Sequence, residues 1–310
     1  MRNYTLSLLL AAGVASAQTT EIMCEQFKNA TTNSGRYTYL TDQWGMDNSG
    51  FQCMNVTLND TAATNSTSFS ATWQWAGTSY NATTVHSFPN INLNSDVLPI
   101  QLSNLSSLKL DLSWSMTPGE VANATSTTTA SSLAAIDVRA DVALDLWLDE
   151  SPTSAQSATY AGTEVMIWQA AYGGVSPIGY TSSISATAPS LKVGGTTYTL
   201  YHGSNTNNQS VYSWHPSKNM TSFNADVSPL LSYLWQKEYI EESLYLGLVQ
   251  WGSEAIHSAG GENVTFWARS VSLDVERGMP ATASAAPKVS GSTALGWLSL
   301  MSAVLVCALS

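Results

Sequence analysis

From Ile136 to Leu148 the chain alternates without a break. Ile136, Val138, Ala140, Val142, Leu144, Leu146 and Leu148 share one side, and Asp137, Arg139, Asp141, Asp145 and Trp147 lie on the other. A period of two marks a β-strand with one face in the core and one face wet. Shorter runs repeat the pattern at Ser68 to Trp75, Leu105 to Trp114, Thr196 to His202, Val211 to Trp214, Leu244 to Trp251 and Val264 to Val275. Such runs, punctuated by Gly, Asn, Ser and Thr, read as an all-β sandwich of antiparallel sheets. One segment reads as helix. Asp226 to Lys237 offers Asp226 or Ser228 as N-cap, Pro229 in the first turn, and the pairs Leu230/Leu234 and Leu231/Trp235. Gly119 to Ala135, rich in Thr, Ser and Ala, reads as a low-complexity loop inserted between two strands.

The two ends carry a different pattern. Arg2, the apolar run Leu6 to Val14 and the small triplet Ala15, Ser16 and Ala17 have the layout of a secretory signal peptide over residues 1–17. At the other end, small residues at 281–286 and a spacer reaching about Ala294 precede an apolar tail, Leu295 to Ser310. That order matches a GPI-attachment signal, with Ser284 or a neighbouring Ala as the attachment site. The expected organisation is one domain over residues 18–277, a spacer over 278–294 and a tail over 295–310. The expected location is extracellular, with a lipid anchor as the sole membrane attachment.

An oxidising compartment makes Cys24 and Cys53 a disulfide candidate, because Cys307, the third cysteine, lies in the tail. Ten Asn-X-Ser/Thr sequons after residue 17 fit a glycosylated surface. The formal charge of −11, with eleven Lys and Arg, argues against nucleic acid and against anionic membranes as partners. A neutral polysaccharide is compatible with it.

The stretch Glu164 to Trp168 (EVMIW) places Glu164, Met166 and Trp168 on one strand face and Val165 and Ile167 on the other. An acid, a thioether and an indole make a poor core and a plausible sugar cleft. Glycoside hydrolysis needs a second carboxylate. Leu244 to Glu254 supplies one, since alternation puts Leu248, Gln250, Gly252 and Glu254 on a common face.

Several blocks in order carry a resemblance: Tyr37 to Gly45 (YTYLTDQWG), Phe51 to Cys53, Trp73 to Trp75, Val138 to Trp147, Glu164 to Trp168, Ser176 to Gly179 (SPIG), and Gln250 to Glu254 (QWGSE). Over roughly Cys24 to Glu276 the chain resembles the secreted endoglucanases and xyloglucanases of glycoside hydrolase family 12. The resemblance implies a β-jelly-roll sandwich with a concave substrate cleft and a single α-helix. It implies an endo-β-1,4-glucanase that retains anomeric configuration by double displacement, with a xyloglucan-specific enzyme as the alternative. Glu164 matches the family nucleophile, Glu254 the acid/base, and Asp145 an aspartate that hydrogen-bonds the nucleophile. Trp44 matches an indole that stacks on a glucosyl ring, Phe27 stands where relatives can carry another aromatic, and Met166, Trp168 and Gln250 match cleft residues. Asp42 departs from the pattern, because relatives commonly carry a sugar-binding Asn there. Gln169 replaces an aliphatic residue.

Other chemistries find little purchase. His86, His202, His215 and His257 show no metal-ligand spacing, and no cofactor motif is present. No Gly-X-Ser-X-Gly elbow occurs. The expectation is a monomeric glycosidase acting on β-glucan, needing neither metal nor cofactor. A non-catalytic carbohydrate-binding wall protein on the same sandwich is the rival from another class.

Overall fold

The computed structural model describes residues 19–60, 65–77, 84–119 and 130–279. The signal segment, the GPI tail with almost all of its spacer, and residues 120–129 of the insert lie outside the described residues.

Two sheets pack face to face. The first contains β1 (Thr20–Met23), β4 (Gly50–Thr57), β5 (Thr67–Trp75), β17 (Val264–Arg277), β8 (Leu105–Pro118) and β14 (Ser222–Asp226), in that order across the sheet. The second runs β11 (Ser190–Val193), β12 (Thr196–Ser204), β13 (Ser210–Pro216), β10 (Thr163–Tyr172), β9 (Arg139–Asp149), β15 (Tyr245–Gly252), β6 (Asn90–Leu93), β3 (Tyr37–Leu40) and β2 (Asn29–Thr31). Two short strands complete it: β16 (Ala255–His257) pairs with β9, and β7 (Ile100–Gln101) pairs with β15.

The alternating aliphatic and aromatic faces meet between the sheets. Phe69, Ala71, Trp73 and Trp75 of β5 are buried, as are Val142, Leu144, Leu146 and Leu148 of β9. Aromatic rings bridge the layers, with Phe69 of one sheet edge-on to Trp251 of the other at 6.5 Å, and within its own sheet Phe69 is edge-on to Phe266 at 5.8 Å. Such edge-to-face pairs add about 0.5–1.5 kcal/mol each beyond the area they bury.

The longest run departs from its reading in two ways. The strand begins at Arg139, because Asp137 takes a left-handed conformation (φ 46°) that ends the alternation before it. Its second face is not wet. Asp141 and Asp145 are 0% and 3% exposed, because β10 and β15 flank β9 on both sides and bring their own side chains over it.

The helix forms as α3 (Ser228–Gln236), behind α1 (Ala130–Ala134) and α2 (Ser182–Ser185) in chain order. Asp226 does act at its start, accepting the Ser228 N–H at 2.9 Å, and Leu230, Leu231 and Leu234 enter the core. The expected helix is the one longer than about one turn among the described residues, and α1 and α2 are about one turn each. Within the insert, α1 buries Leu133. The all-antiparallel expectation needs correction at one pair, since β13 pairs with β10 in parallel, Glu164 opposite Val211. The chain leaves β10 for the sheet edge, forms β11 and β12, and returns through a hairpin. That return sets the β12–β13 turn beside the start of β10.

Candidate active site

The site is built on the face of the second sheet that points away from the sandwich core. β9 lies at its centre. Met166 of β10 and Gln250 of β15 stand directly across from Asp145 on either side, and Glu164 is across from Trp147. Cross-strand neighbours on one face lie about 4.5–5.5 Å apart at Cβ. This pairing gathers Glu164, Asp145 and Gln250, which come from three separate sequence blocks. The Gln250 amide oxygen accepts the Trp147 indole N–H at 3.1 Å.

Glu254 reaches the site from beyond the strand end. β15 stops at Gly252, and Ser253 and Glu254 form a short connection into β16. Asp141 anchors that connection. Its N–H donates to the Glu254 carbonyl at 3.2 Å, and the Glu254 N–H donates to Asp141 Oδ1 at 3.3 Å. Gly252 is required for this arrangement, since a Cβ there would lie 2.4 Å from the Pro89 carbonyl oxygen.

Five carboxyl groups therefore share a small volume: Asp42, Asp141, Asp145, Glu164 and Glu254. Each is pushed above its ordinary value, in every case first by burial. Mutual repulsion adds to it. The charge of Glu254 helps raise Asp42 to about 6 and Glu164 to about 8, and Glu164 and Glu254 both act on Asp145. No Lys or Arg stands among these causes, so protonation is the main relief for the cluster. The two glutamates titrate as a pair rather than as separate groups.

Two hydrogen-bonding partners moderate the pair. The Asn205 amide donates to Glu164 Oε2 at 3.4 Å and favours its charged form. Asp141 does the same for Glu254. Neither residue stands out in the sequence. Asn205 lies in the β12–β13 turn, and only the parallel pairing of β13 with β10 brings it to Glu164. Asp141 could have been marked by its place on the Asp145 face, four residues earlier. Asp145 itself has a buried Oδ1 with no hydrogen-bond partner among the described residues, and its link to Glu164 is one of charge.

The aromatic residues divide by exposure. Trp44 is 52% exposed and Phe27 68% exposed, and both lie in the N-terminal part of the chain that carries β2 and β3. The Trp44 loop is pinned from beneath. Gly45 donates its N–H to the His86 carbonyl at 3.0 Å, and the buried Gln43 amide donates to the carbonyls of Cys24 and Glu25. The Cys24–Cys53 disulfide ties the same segment to β4. Met166 and Trp168 are 6% and 2% exposed, and with Ala143 and Val211 they form a small apolar layer under the cleft surface. Trp168 packs against His215 at 5.6 Å. Next to the carboxyl cluster, Asp42 and Gln250 join Thr38, Leu40, Asn92, Leu248 and residues 156–158 around a cavity of about 360 Å³. Asp42 holds its place there with a left-handed backbone (φ 38°), which Asp tolerates better than most residues.

A sheet face with paired glutamates, buried supporting aspartates and an exposed indole has the parts of a polysaccharide hydrolase. The sequence pattern of glycosyl hydrolase family 12 matches residues 120–276. Over 277 residues the chain is 35% identical to the xyloglucan-specific endo-β-1,4-glucanase A of Emericella nidulans, a match covering 89% of this chain and all of that enzyme. The chain belongs to glycosyl hydrolase family 12. A probable xyloglucan-specific endo-β-1,4-glucanase A of Aspergillus flavus is 32% identical, across 87% of this chain and 97% of its own. Among solved structures, endoglucanase 3 of Trichoderma harzianum superposes on this family 12 chain with a TM-score of 0.66 at 28% identity, covering 84% of this chain and 100% of that one. The catalytic domain of Humicola grisea Cel12A gives 0.65 at 25% identity, covering 83% and 99%. This member of family 12 is thus a glycoside hydrolase with the jelly-roll architecture of those structures.

Proposed function

We propose that this family 12 enzyme is an endo-β-1,4-glucanase whose preferred substrate is xyloglucan. The observation that carries the reading is the match along the full length of the Emericella nidulans enzyme, named for that specificity. The relatives favour xyloglucan over the broader β-glucan activity that the sequence blocks alone suggest.

In this reading Glu164 attacks the anomeric carbon while Glu254 protonates the leaving oxygen. Glu254 then deprotonates the water that releases the glycosyl-enzyme. The reactive form has one proton on the pair, held by Glu254. The Asn205 amide favours it by stabilising charge on Glu164. Asp145, pushed toward its neutral form by burial and by its acidic neighbours, limits the negative charge beside the nucleophile. Trp44, half exposed, offers a flat face for the C–H side of a glucosyl ring.

The test is a substrate panel. Residues 18–277 are expressed, and reducing ends are followed on tamarind xyloglucan, barley β-glucan and carboxymethylcellulose. The expected result is a kcat/KM on xyloglucan at least about tenfold above the others, within the range a few pocket contacts supply. Equal rates on all three would make it a broad endoglucanase, and binding without release a wall-binding protein. Glu164→Gln and Glu254→Gln should each lower kcat on xyloglucan by roughly a thousandfold or more, the scale seen when one member of a catalytic unit is removed.

Secretion, action as a monomer and a GPI anchor are proposed from the chain termini and composition alone. Release of the full-length protein from membranes by a GPI-specific phospholipase would support the anchor, and retention would refute it.

A further inference from the structure

Asp141 takes no part in the bond-making steps above, yet it is closely joined to Glu254. Its side chain is fully buried. Three contacts fasten the Ser253–Glu254 connection to it: its N–H to the Glu254 carbonyl, the Glu254 N–H to its Oδ1, and the Ser253 hydroxyl to its own carbonyl at 2.6 Å. Its other carboxyl oxygen, Oδ2, is buried with no partner in ordinary hydrogen-bond geometry. The Glu254 carboxyl lies near enough to interact with it through charge and a looser hydrogen bond.

An ionised carboxylate is acceptor-only and calls for donors at both oxygens. Asp141 has one such bond at Oδ1 and no donor at Oδ2. A protonated carboxyl fits the same surroundings, accepting at Oδ1 and donating from Oδ2. The groups around it push the same way. Asp145 on its own strand and Glu254 before β16 face it directly, with Glu164 on β10 and Asp42 after β3 beyond them. Two basic side chains lie close in the fold, Arg139 two residues before Asp141 on β9 and His257 on β16, and both are turned to Asp137, at 3.1 Å and 3.5 Å.

We propose that Asp141 is a positioning residue for Glu254: a buried carboxylic acid that stays protonated and donates its Oδ2 hydrogen to the Glu254 carboxyl, aiming that group at the scissile bond. The inference rests on the acid/base role given to Glu254 above. When Glu254 passes its proton to the leaving oxygen, its own O–H bond breaks and the new carboxylate is met by the hydrogen bond from Asp141. Asp141 keeps its proton throughout. The same bond favours the charged form of Glu254, offsetting part of what burial does to it.

The test uses the alkaline limb of kcat/KM on xyloglucan, which reports loss of the free enzyme's general acid. Asparagine is isosteric with a protonated aspartate, with an acceptor and a donor in the same places. Asp141→Asn should leave the limb where it is and lower kcat only a few fold. Asp141→Ala removes the donor, so the limb should rise by about half to one pH unit, the worth of one side-chain hydrogen bond. If Asp141 instead works as a negative charge, Asp141→Asn removes a repulsive neighbour and the limb moves down, which overturns the proposal. A lower Tm in Asp141→Ala with an unmoved limb overturns it too, by making the residue merely structural. Should the alanine variant fail to fold, the asparagine variant still decides by the direction of its limb. Glu254→Gln separates the two readings. Full activity there refutes the acid/base assignment itself, whereas an inactive Glu254→Gln beside a downward shift in Asp141→Asn refutes only the role of Asp141.

Discussion

Asn205 reaches Glu164 from a turn that it also builds. Its side-chain oxygen accepts the N–H groups of Asn207 and Gln209 at 3.0 Å each, while its amide donates to Gln209 Oε1 at 2.8 Å and to Glu164 at 3.4 Å. Removing it should cost both turn and site. Asn205→Ala deletes a hydrogen bond that draws Glu164 toward its charged form, so the acid limb of kcat/KM should move to higher pH. With about 1 kcal/mol for such a bond, kcat/KM should fall roughly fivefold to tenfold. Asn205→Asp keeps the turn acceptors and places a charge beside Glu164. Its acid limb should therefore rise further than that of the alanine variant. Paired pH profiles of the two variants check this, and an aspartate limb at or below the alanine limb would refute the electrostatic account.

At the scale of the strand, the legible and illegible parts of this chain separate by what alternation can encode. β5 and the later part of β9 could be read residue by residue, because each buries one aliphatic or aromatic face. The blocks around Glu164 and Glu254 could be located for the same reason. Alternation is silent on partners. It could not foresee the parallel return of β13, and so it missed Asn205. Nor could it tell that the Asp141–Asp145 face is sealed by β10 and β15. Glu254 shows a second limit, because it lies past the last strand residue and is placed by the Asp141 contacts rather than by the pleat. Gly252 makes that placement possible by letting β15 approach β6, where a Cβ would also lie 2.7 Å from the Asn90 side chain. Gly252→Ala should push the strand end outward at a cost of about 1–3 kcal/mol, typical of overpacking. The expected readout is a lower Tm together with a kcat loss larger than any change in KM, since the shift falls on Glu254. An unchanged kcat with a lowered Tm would separate Gly252 from the site.

For the whole molecule, the carboxyl cluster makes the candidate site a determinant of stability. Asp42, Asp141, Asp145, Glu164 and Glu254 all have folded-state values above their ordinary ones, so the folded chain binds protons more tightly than the unfolded chain. Stability from such groups is complete below the unfolded values and is lost as pH rises through the folded ones. The lowered groups Asp47, Asp60 and Glu276 act oppositely, with their contribution lost in acid. His215 and His257, also lowered, withdraw stability only below their ordinary value of 6.5. Between pH 6.5 and pH 8 the raised carboxyls therefore dominate. Glu164, reaching about 8, spans that window. Tm should fall across it, by up to about 1.4 kcal/mol of stability per pH unit for each proton involved. At this size each 1 kcal/mol is worth about 2–4 °C. Glu164→Gln removes one of these protons, so its Tm should fall less steeply and lie above wild type at pH 8. Salt distinguishes the cause: 0.3 M NaCl screens surface repulsion from the −11 net charge but leaves a buried cluster largely untouched. Calorimetry from pH 6.5 to 8, with and without salt, decides the matter. A flat wild-type profile, or a slope that vanishes in salt or survives unchanged in Glu164→Gln, would show that the buried acids do not set the stability of the fold.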